Sequence, residues 1–248
     1  MPSQYKILKM KDKFEKTNID LDKIFSVPHR LLFVARTGLG KTLTLSNYLI
    51  NPNFPYHDIW SGMDIYIFSP SISNDFKLQQ IIKYKQIPQE NLFHSLDEDS
   101  LNAVLTFITE QYEEALANDE KPPQSLVILD DCLAHLKDRE NGGVQDLFIR
   151  GRHINCSVWT TLQHYSKCPY SCRSNSSGII MFQTNNKQLE ALEHEHNTMD
   201  KKKSFMKMAK DITKDKHNPL IINYTNSMEE MYLDGEFNVI DTKKYIDE

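Results

Sequence analysis

The stretch from Leu31 to Leu45, LLFVARTGLGKTLTL, constrains the fold of this chain more than any other. A short apolar run leads into Thr37-Gly-Leu-Gly-Lys-Thr42, and an amphipathic segment follows. This order predicts a buried strand, a tight glycine turn and the start of a helix, which is the local geometry of a phosphate-binding P-loop. A chance Gly-Lys-Thr turn is the alternative, but it would not explain the flanking patterns. The chain is therefore predicted to bind a nucleotide.

The residue types of the loop match the chemistry of phosphate binding. Gly38 and Gly40 let the backbone turn sharply and point its N–H groups at a phosphate, which a Cβ would obstruct. Lys41 can reach the β- and γ-phosphates, and the Thr42 hydroxyl can bind Mg²⁺. The usual pattern starts with a glycine where this chain has Ala35, at a position that contributes backbone shape more than contacts. The predicted nucleotide-binding residues are Thr37, Gly38, Leu39, Gly40, Lys41 and Thr42.

A second apolar run ends in two adjacent carboxylates, Asp130 and Asp131. An NTPase needs one carboxylate at the end of such a strand for the Mg²⁺ shell, and a second group to orient the attacking water. We therefore predict Asp130 as the metal ligand and Asp131 as the catalytic base. A solvated Asp-Asp turn is the alternative, and the buried strand before the pair, downstream of a P-loop, favours the site.

Three more side chains are candidates for catalysis. Gln163 closes the next apolar run. Its amide carries both a donor and an acceptor and can hydrogen-bond to the γ-phosphate and to the attacking water, so we predict that it senses the nucleotide state. A simple strand cap is the alternative. Arg150 and Arg152 lie just before that run. An arginine supplied to a neighbouring subunit's γ-phosphate would stabilise transition-state charge, although a salt-bridged helix end explains either arginine equally well.

The apolar runs are continuous rather than alternating, which predicts strands covered on both faces and hence a mostly parallel central sheet flanked by helices, an α/β fold. The predicted strands are 31–34, 63–68, 91–94, 125–130, 156–163 and 178–182, and the predicted helices are 43–50, 76–84, 101–117, 144–153, 187–196 and 200–215. Residues 141–143 are predicted as a loop, and 220–224 with 231–233 as a C-terminal hairpin. Residues 1–27 are interpreted as an N-terminal arm and 28–248 as a P-loop ATPase domain.

Charge and composition limit the partners. The net charge of −5 gives the whole chain no attraction for nucleic acid or an anionic membrane, so a nucleic-acid contact must come from a local patch or the lumen of an oligomer. Residues 201–216 form one lysine-rich patch, although lysines mixed with aspartates are typical of a solvated helix. No run approaches the length of a membrane span, and the polar start MPSQYK is not expected to be a signal peptide.

The four cysteines show no disulfide-framework spacing, which favours a reducing intracellular compartment. His164, Cys168 and Cys172 are spaced four apart, and Cys132 and His135 could approach one another in the fold. A zinc site is conceivable on these residues, but the usual C-x₂-C pairs are absent. Free thiols are the favoured interpretation.

Taken together, the motifs resemble those of the FtsK–HerA class of DNA-pumping ATPases. Thr37-Gly-Leu-Gly-Lys-Thr42 is similar to the class's T-G-x-G-K-[ST] loop, Leu126 to Asp131 to its acidic strand, and Arg150-Gly-Arg152 followed by Thr161-Leu-Gln163 to its arginine-then-glutamine segment. The short chain and the Asp-Asp pair are most similar to the viral genome-packaging ATPases of poxviruses, other large DNA viruses and virophages. Asp131 stands where many relatives have glutamate.

The resemblance implies a P-loop NTPase of the additional-strand catalytic-acid class, with an extra strand between the two nucleotide motifs. It implies an ATPase that uses ATP and Mg²⁺ and moves double-stranded DNA into a viral capsid. The working form would be a homo-oligomeric ring, expected to be a hexamer, with duplex DNA in its channel. Capsid vertex or portal components would be its partners, in the host cytoplasm, the viral factory or the virion. The alternatives are a P-loop nucleoside or nucleotide kinase and a non-hydrolysing nucleotide-binding scaffold.

Overall fold

The computed structural model of the chain describes residues 19 and 21, residues 24–133 and residues 142–246. Most of the predicted N-terminal arm and His135 lie outside the described residues. The end of the arm that is described packs on the domain, since Ile24, Phe25 and Val27 are buried. The boundary between the arm and the domain stays a prediction.

The described chain alternates strands and helices. The strands are β1 (Arg30–Val34), β2 (Ile65–Phe68), β3 (Leu92–Phe93), β4 (Ser125–Asp130), β5 (Cys156–Leu162), β6 (Gly178–Met181), β7 (Leu220–Asn223) and β8 (Tyr232–Leu233). The helices are α1 (Lys41–Ile50), α2 (Phe76–Lys85), α3 (Glu98–Ala117), α4 (Gly142–Arg150), α5 (Tyr170–Ser174), α6 (Asn186–His196) and α7 (Lys202–Ile212).

All eight strands form one sheet in the order β3-β2-β4-β5-β1-β6-β7-β8. The strands from β3 to β6 in this order are parallel, and β7 and β8 form the predicted antiparallel hairpin. The strand β5 lies between β1 and β4, with Thr161 paired to Asp130 on one side and to Phe33 on the other. The additional strand between the two nucleotide motifs is thus confirmed.

Helices cover the sheet on both faces, as the continuous apolar strands predict. One core lies between the sheet and α1 and α2, where Leu45, Leu49 and Leu78 are buried. The other core lies under α3, α4, α6 and α7, where Ile108 and Phe205 are buried. Every residue of β4 and β5 is buried, so these two strands form the centre of the molecule.

Some predicted boundaries were wrong for identifiable reasons. Gly142 and Gly143 begin α4 instead of forming a loop. A Cβ at Gly143 would come within 3.2 Å of Leu101, so this glycine allows α4 to pack closely on α3 and does not mark a turn. The same helix ends at Arg150, and a 3₁₀ turn covers Gly151–Ile154. The predicted helix 200–215 is shorter at both ends, and α5, which has five residues, is too short to show a helical period.

A buried histidine connects the amino end of β1 to β5. The indole of Trp159 donates to His29 Nε2 at 2.8 Å, so the proton of the neutral ring is on Nδ1, which donates to the Ser26 carbonyl at 3.2 Å. The rings of His29 and Trp159 are stacked, with Tyr56 and Trp60 beside them. Burial lowers the pKa of His29 from 6.5 to about 3, because the cage leaves no water to solvate a charged ring.

We expect His29 to make the fold acid-labile. The unfolded chain takes up a proton at this side chain below pH 6.5 and the folded chain does not, so the free energy of unfolding falls as the pH drops from about 6.5 towards 3. The loss is about 3 kcal/mol at pH 4. Urea unfolding of the wild type and of His29→Gln at neutral pH and at pH 4 measures it. Equal losses in the two proteins would contradict the assignment.

Candidate nucleotide-binding site

The predicted P-loop connects β1 to α1. Gly38 has φ +80° and Gly40 has φ +117°, values that favour glycine. A Cβ at Gly40 would also lie 2.8 Å from the ring of His217. The helix α1 begins at Lys41 directly after Gly40, so the first free N–H groups of the helix are next to the loop, where they attract an anion.

Ala35 fits the position where the usual pattern has glycine. Its φ is not positive, and its N–H donates to the carbonyl of Leu162 at 3.0 Å, which extends the β1–β5 ladder by one residue. The residue is buried among apolar neighbours, so its methyl group is accommodated. The backbone therefore imposes no glycine here.

Lys41 lies inside the loop. Its side chain is 7% exposed, and its Nζ donates to the Ala35 carbonyl at 2.7 Å. Burial lowers the pKa of Lys41, and the nearby carboxylates of Asp131 and Asp130 oppose that shift. The Lys41 ammonium group therefore interacts electrostatically with both carboxylates. The P-loop and the acidic pair, the two predicted nucleotide motifs, are thus close to one another in the fold.

Asp130 is the last residue of β4 and is 4% exposed. Each carboxylate oxygen accepts a hydrogen bond: Thr161 Oγ1 donates to Oδ1 at 2.8 Å, and Ser69 Oγ donates to Oδ2 at 2.9 Å. Burial raises the pKa of Asp130, and these two hydrogen bonds oppose the rise. The carboxylate is therefore held in one orientation at the carboxyl edge of the sheet.

Asp131 turns away from its neighbour. Its backbone is left-handed, with φ +52°, and its N–H donates to Thr161 Oγ1 at 3.0 Å. Its Oδ2 accepts from Gln163 Nε2 at 2.8 Å, so the predicted base and the predicted sensor are in direct contact. The Thr161 hydroxyl thus bonds to the carboxylate of Asp130 and to the backbone of Asp131, and Gln163 holds the carboxylate of Asp131.

A cavity of about 720 Å³ opens in front of the P-loop. That volume lies in the range of small-molecule sites. It is lined by Arg36, Thr37, Leu39, Gln163, His164, Gln183, Thr184 and Asn185. The loop and Gln163 therefore face the same space.

The structure does not bring Arg150 and Arg152 to this cavity. They end α4 and enter the following turn, which leads into the amino end of β5, whereas Gln163 follows the carboxyl end. The seven residues of β5 separate the two edges by roughly 20 Å. Arg150 pairs with Asp146 on its own helix at 3.5 Å, both side chains exposed. Within one chain, the two arginines are remote from the phosphate loop.

Three residues of the site escaped the sequence prediction. Ser69 follows β2 directly, and Thr161 lies near the carboxyl end of β5. The sequence signal for both was a polar residue at the carboxyl end of an apolar run. His217 donates from Nδ1 to the Leu39 carbonyl at 3.1 Å, from 178 residues further along the chain. No local pattern marks that contact.

The zinc hypothesis finds no support in the described part of the chain. All four cysteines are buried free thiols, and no group of three potential metal-binding side chains occurs among these residues. His164 Nδ1 instead accepts from the Gln188 amide at 3.2 Å. The same described residues contain no helix that is both long and apolar enough to cross a membrane.

The chain matches the family model of the Poxvirus A32 protein over residues 15–239. It belongs to that family, which is a family of genome-packaging ATPases, and the resemblance to viral genome-packaging ATPases is thereby confirmed. No curated protein sequence matches the chain significantly.

Several solved structures share the fold. The DNA-packaging ATPase B204 from Sulfolobus turreted icosahedral virus is 14% identical, with a TM-score of 0.52 over 82% of this chain and 95% of that one. The genome-packaging NTPase B204 from Sulfolobus turreted icosahedral virus 2, in complex with AMP, is 15% identical, with a TM-score of 0.53 over 79% and 93%. The pCW3 conjugation coupling protein TcpA, with ATPγS, is 16% identical, with a TM-score of 0.53 over 88% and 64%. These likenesses confirm the α/β P-loop fold.

Thr161→Val is expected to lower the rate of ATP hydrolysis by about 10- to 100-fold, because a polar contact that positions catalytic groups is lost without a change of shape. Thr160→Val is the matched control, since the neighbouring Thr160 hydroxyl is buried without a hydrogen-bond partner among the described residues. Steady-state hydrolysis and urea unfolding of both variants measure the effects. Equal rates in the two variants would contradict the role of the Thr161 hydroxyl.

Proposed function

We propose that this member of the Poxvirus A32 family hydrolyses ATP with Mg²⁺ and couples hydrolysis to the movement of double-stranded DNA into a viral capsid. The observation that carries the proposal is the contact between Asp131 and Gln163 beside the P-loop. A kinase or a silent scaffold needs a phosphate loop but no carboxylate–amide pair aimed at an attacking water. One similar fold belongs to a protein described as a DNA-packaging ATPase, and another to one studied with ATPγS.

The phosphate-binding role falls to the loop. The backbone N–H groups of Thr37 to Thr42 and the start of α1 would hold the β- and γ-phosphates, with the Lys41 ammonium between them and the aspartates. The Lys41 side chain would exchange its bond to the Ala35 carbonyl for phosphate oxygens. A cation without the nearby carboxylates would be costly to keep in so buried a position.

Thr42 and Asp130 are suited to hold Mg²⁺. Both offer oxygen, the ligand type that this hard cation prefers, and the Asp130 carboxylate is already oriented by Ser69 and Thr161. When bound, Mg²⁺ neutralises charge on the β- and γ-phosphates. The hydrogen bonds from the two hydroxyls keep Asp130 in the orientation in which it would meet the ion.

Asp131 is assigned as the base that orients and deprotonates the attacking water. Its carboxylate accepts one hydrogen bond from Gln163 and keeps lone pairs that can accept from a water. Gln163 faces the cavity, where its amide can exchange Asp131 for the γ-phosphate. The pair would therefore respond to whether a γ-phosphate is present.

Arg150 and Arg152 are assigned to a neighbouring subunit's site. The length of β5 keeps them from their own phosphate loop, so only a second copy of the chain can bring one of them to a γ-phosphate. This requirement suits a closed ring, which we propose is a hexamer around duplex DNA. A capsid vertex or portal would anchor the ring, in the viral factory or in the virion. The motor domain would comprise residues 28–248.

Lys41→Ala and Asp131→Asn are each expected to abolish Mg²⁺-dependent ATP hydrolysis, with a loss of at least about 100-fold. Lys41→Ala should also weaken nucleotide binding, whereas Asp131→Asn should bind nucleotide like the wild type. Asp119→Asn is the matched control, because Asp119 has nearly the same left-handed backbone, φ +57°, away from the site. Phosphate release with and without duplex DNA, and binding of a fluorescent ATP analogue, are the measurements.

Full hydrolysis by Asp131→Asn would refute its assignment as the base while leaving the P-loop intact. Wild-type protein that transfers phosphate to nucleosides, and is not stimulated by duplex DNA, would refute the proposed function.

A further inference from the structure

We propose that the exposed face of α7 is a binding surface for the phosphate backbone of duplex DNA. This inference rests on the proposed function, because it names the part of the chain that would contact the transported DNA. The surface consists of Lys202, Lys203, Lys207 and Lys210 on α7 and of Lys214, two residues past the end of the helix, and is called the α7 lysine face below.

The lysines converge on one side of the helix. They line a common shallow hollow of about 860 Å³ together with Met206 and Asp211. The opposite side of α7 is buried in the core through Phe205, Met208 and Ala209. Core packing therefore fixes which side of α7 faces solvent. The helix cannot rotate to turn the lysines away without exposing its buried side chains.

The local charge is opposite to that of the rest of the chain. Residues 201–216 contain seven lysines and two aspartates, a net +5 in a chain of net −5. The acid on the face itself, Asp211, accepts from the Tyr245 hydroxyl at 2.7 Å, and Lys202 pairs with Glu190 of α6 at 3.3 Å. Lys203, Lys210 and Lys214 make no ion pair with any described residue.

A second segment adds charge beside the face. The turn Thr242–Tyr245 packs on α7, where the Tyr245–Asp211 bond joins them. The turn carries Lys243 and Lys244, both exposed. Two stretches of chain, separated in sequence, thus contribute lysines to one region of the surface.

The spacing suits a phosphate backbone. Lys203 to Lys210 spans about 10 Å along α7, and Lys214 lines the same hollow just past the end of the helix. A DNA strand carries a phosphate about every 3.4 Å of its axis. A row of flexible ammonium groups can follow such a backbone without reading bases. An anionic membrane would instead favour large apolar residues beside the lysines, and the hollow offers only Met206.

The face is directly connected to the P-loop. Five residues beyond the end of α7, His217 donates to the Leu39 carbonyl, and its ring lies against Gly40. A short turn therefore joins the lysines to the loop that would hold the phosphates. DNA bound to this face would therefore contact the segment that leads directly to His217, which in turn contacts the P-loop.

The test compares two triple variants of the full chain. Lys203→Gln/Lys210→Gln/Lys214→Gln removes the α7 charges, and Lys77→Gln/Lys83→Gln/Lys121→Gln is a matched control from exposed lysines elsewhere. Binding of a labelled blunt duplex is measured across a salt series, and ATP hydrolysis is measured with and without that duplex. In wild-type protein, acylation of each lysine with and without DNA is followed by mass spectrometry.

Support for the proposal would be a plot of log affinity against log salt that is less steep by about 2.7 in the α7 variant than in the control. Its affinity at about 0.1 M salt should be at least about 10-fold lower. Hydrolysis without DNA should be unchanged. In the wild type, DNA should protect Lys203, Lys210 and Lys214 from acylation and leave Lys77, Lys83 and Lys121 reactive.

The α7 assignment would be overturned by equal salt slopes and affinities in the two variants, or by equal protection of both lysine sets. The proposed function would still stand in that case, provided that the wild type hydrolyses ATP and binds duplex DNA. Loss of binding to phosphatidylserine vesicles alone, with DNA binding intact, would overturn it in favour of a membrane. A wild type that hydrolyses no ATP, or binds no duplex, would refute the proposed function itself.

Discussion

The site depends on the hydroxyl of Thr161, which bonds to both of the adjacent aspartates, to the carboxylate of one and to the backbone of the other. It donates to Asp130 and accepts from the backbone of Asp131. Two adjacent ionised carboxylates repel one another. Here one is buried and bonded on both oxygens, and the other turns through a left-handed backbone towards Gln163. Two identical side chains thus have different environments, which is how similar carboxyl groups acquire different functions.

That hydroxyl is available only because β5 lies between β1 and β4. The inserted strand places its own carboxyl end, and therefore Gln163, between the phosphate loop and the acidic pair. The same insertion places the arginines before β5 at the opposite edge of the sheet. The phosphate loop, the acidic pair and Gln163 therefore lie at one edge of the sheet, and the two arginines lie at the other. The proposed sharing of a site between two chains follows from this separation.

Much of this could be predicted from sequence, because the decisive signals are local. Continuous apolar runs predicted the parallel strands, and two glycines predicted the phosphate loop, where both have positive φ. Contacts fixed by tertiary packing could not be predicted. Gly143 lies within a helix and allows close packing on α3, where a glycine in the sequence had indicated a loop, and His217 reaches Leu39 from a distant turn. Ser69 and Thr161 were visible as polar residues but acquire meaning only from strand order, which periodicity does not determine.

We propose that a working site takes its arginine from a second chain, and mixing two inactive variants tests this sharing. Arg152→Ala protein keeps an intact phosphate loop, and Lys41→Ala protein keeps an intact arginine. If the arginine acts on a neighbour's γ-phosphate, the mixture should hydrolyse ATP faster than either variant alone, since some interfaces then combine an intact loop with an intact arginine. A mixture no more active than its components, for Arg152→Ala and for Arg150→Ala alike, would contradict the claim.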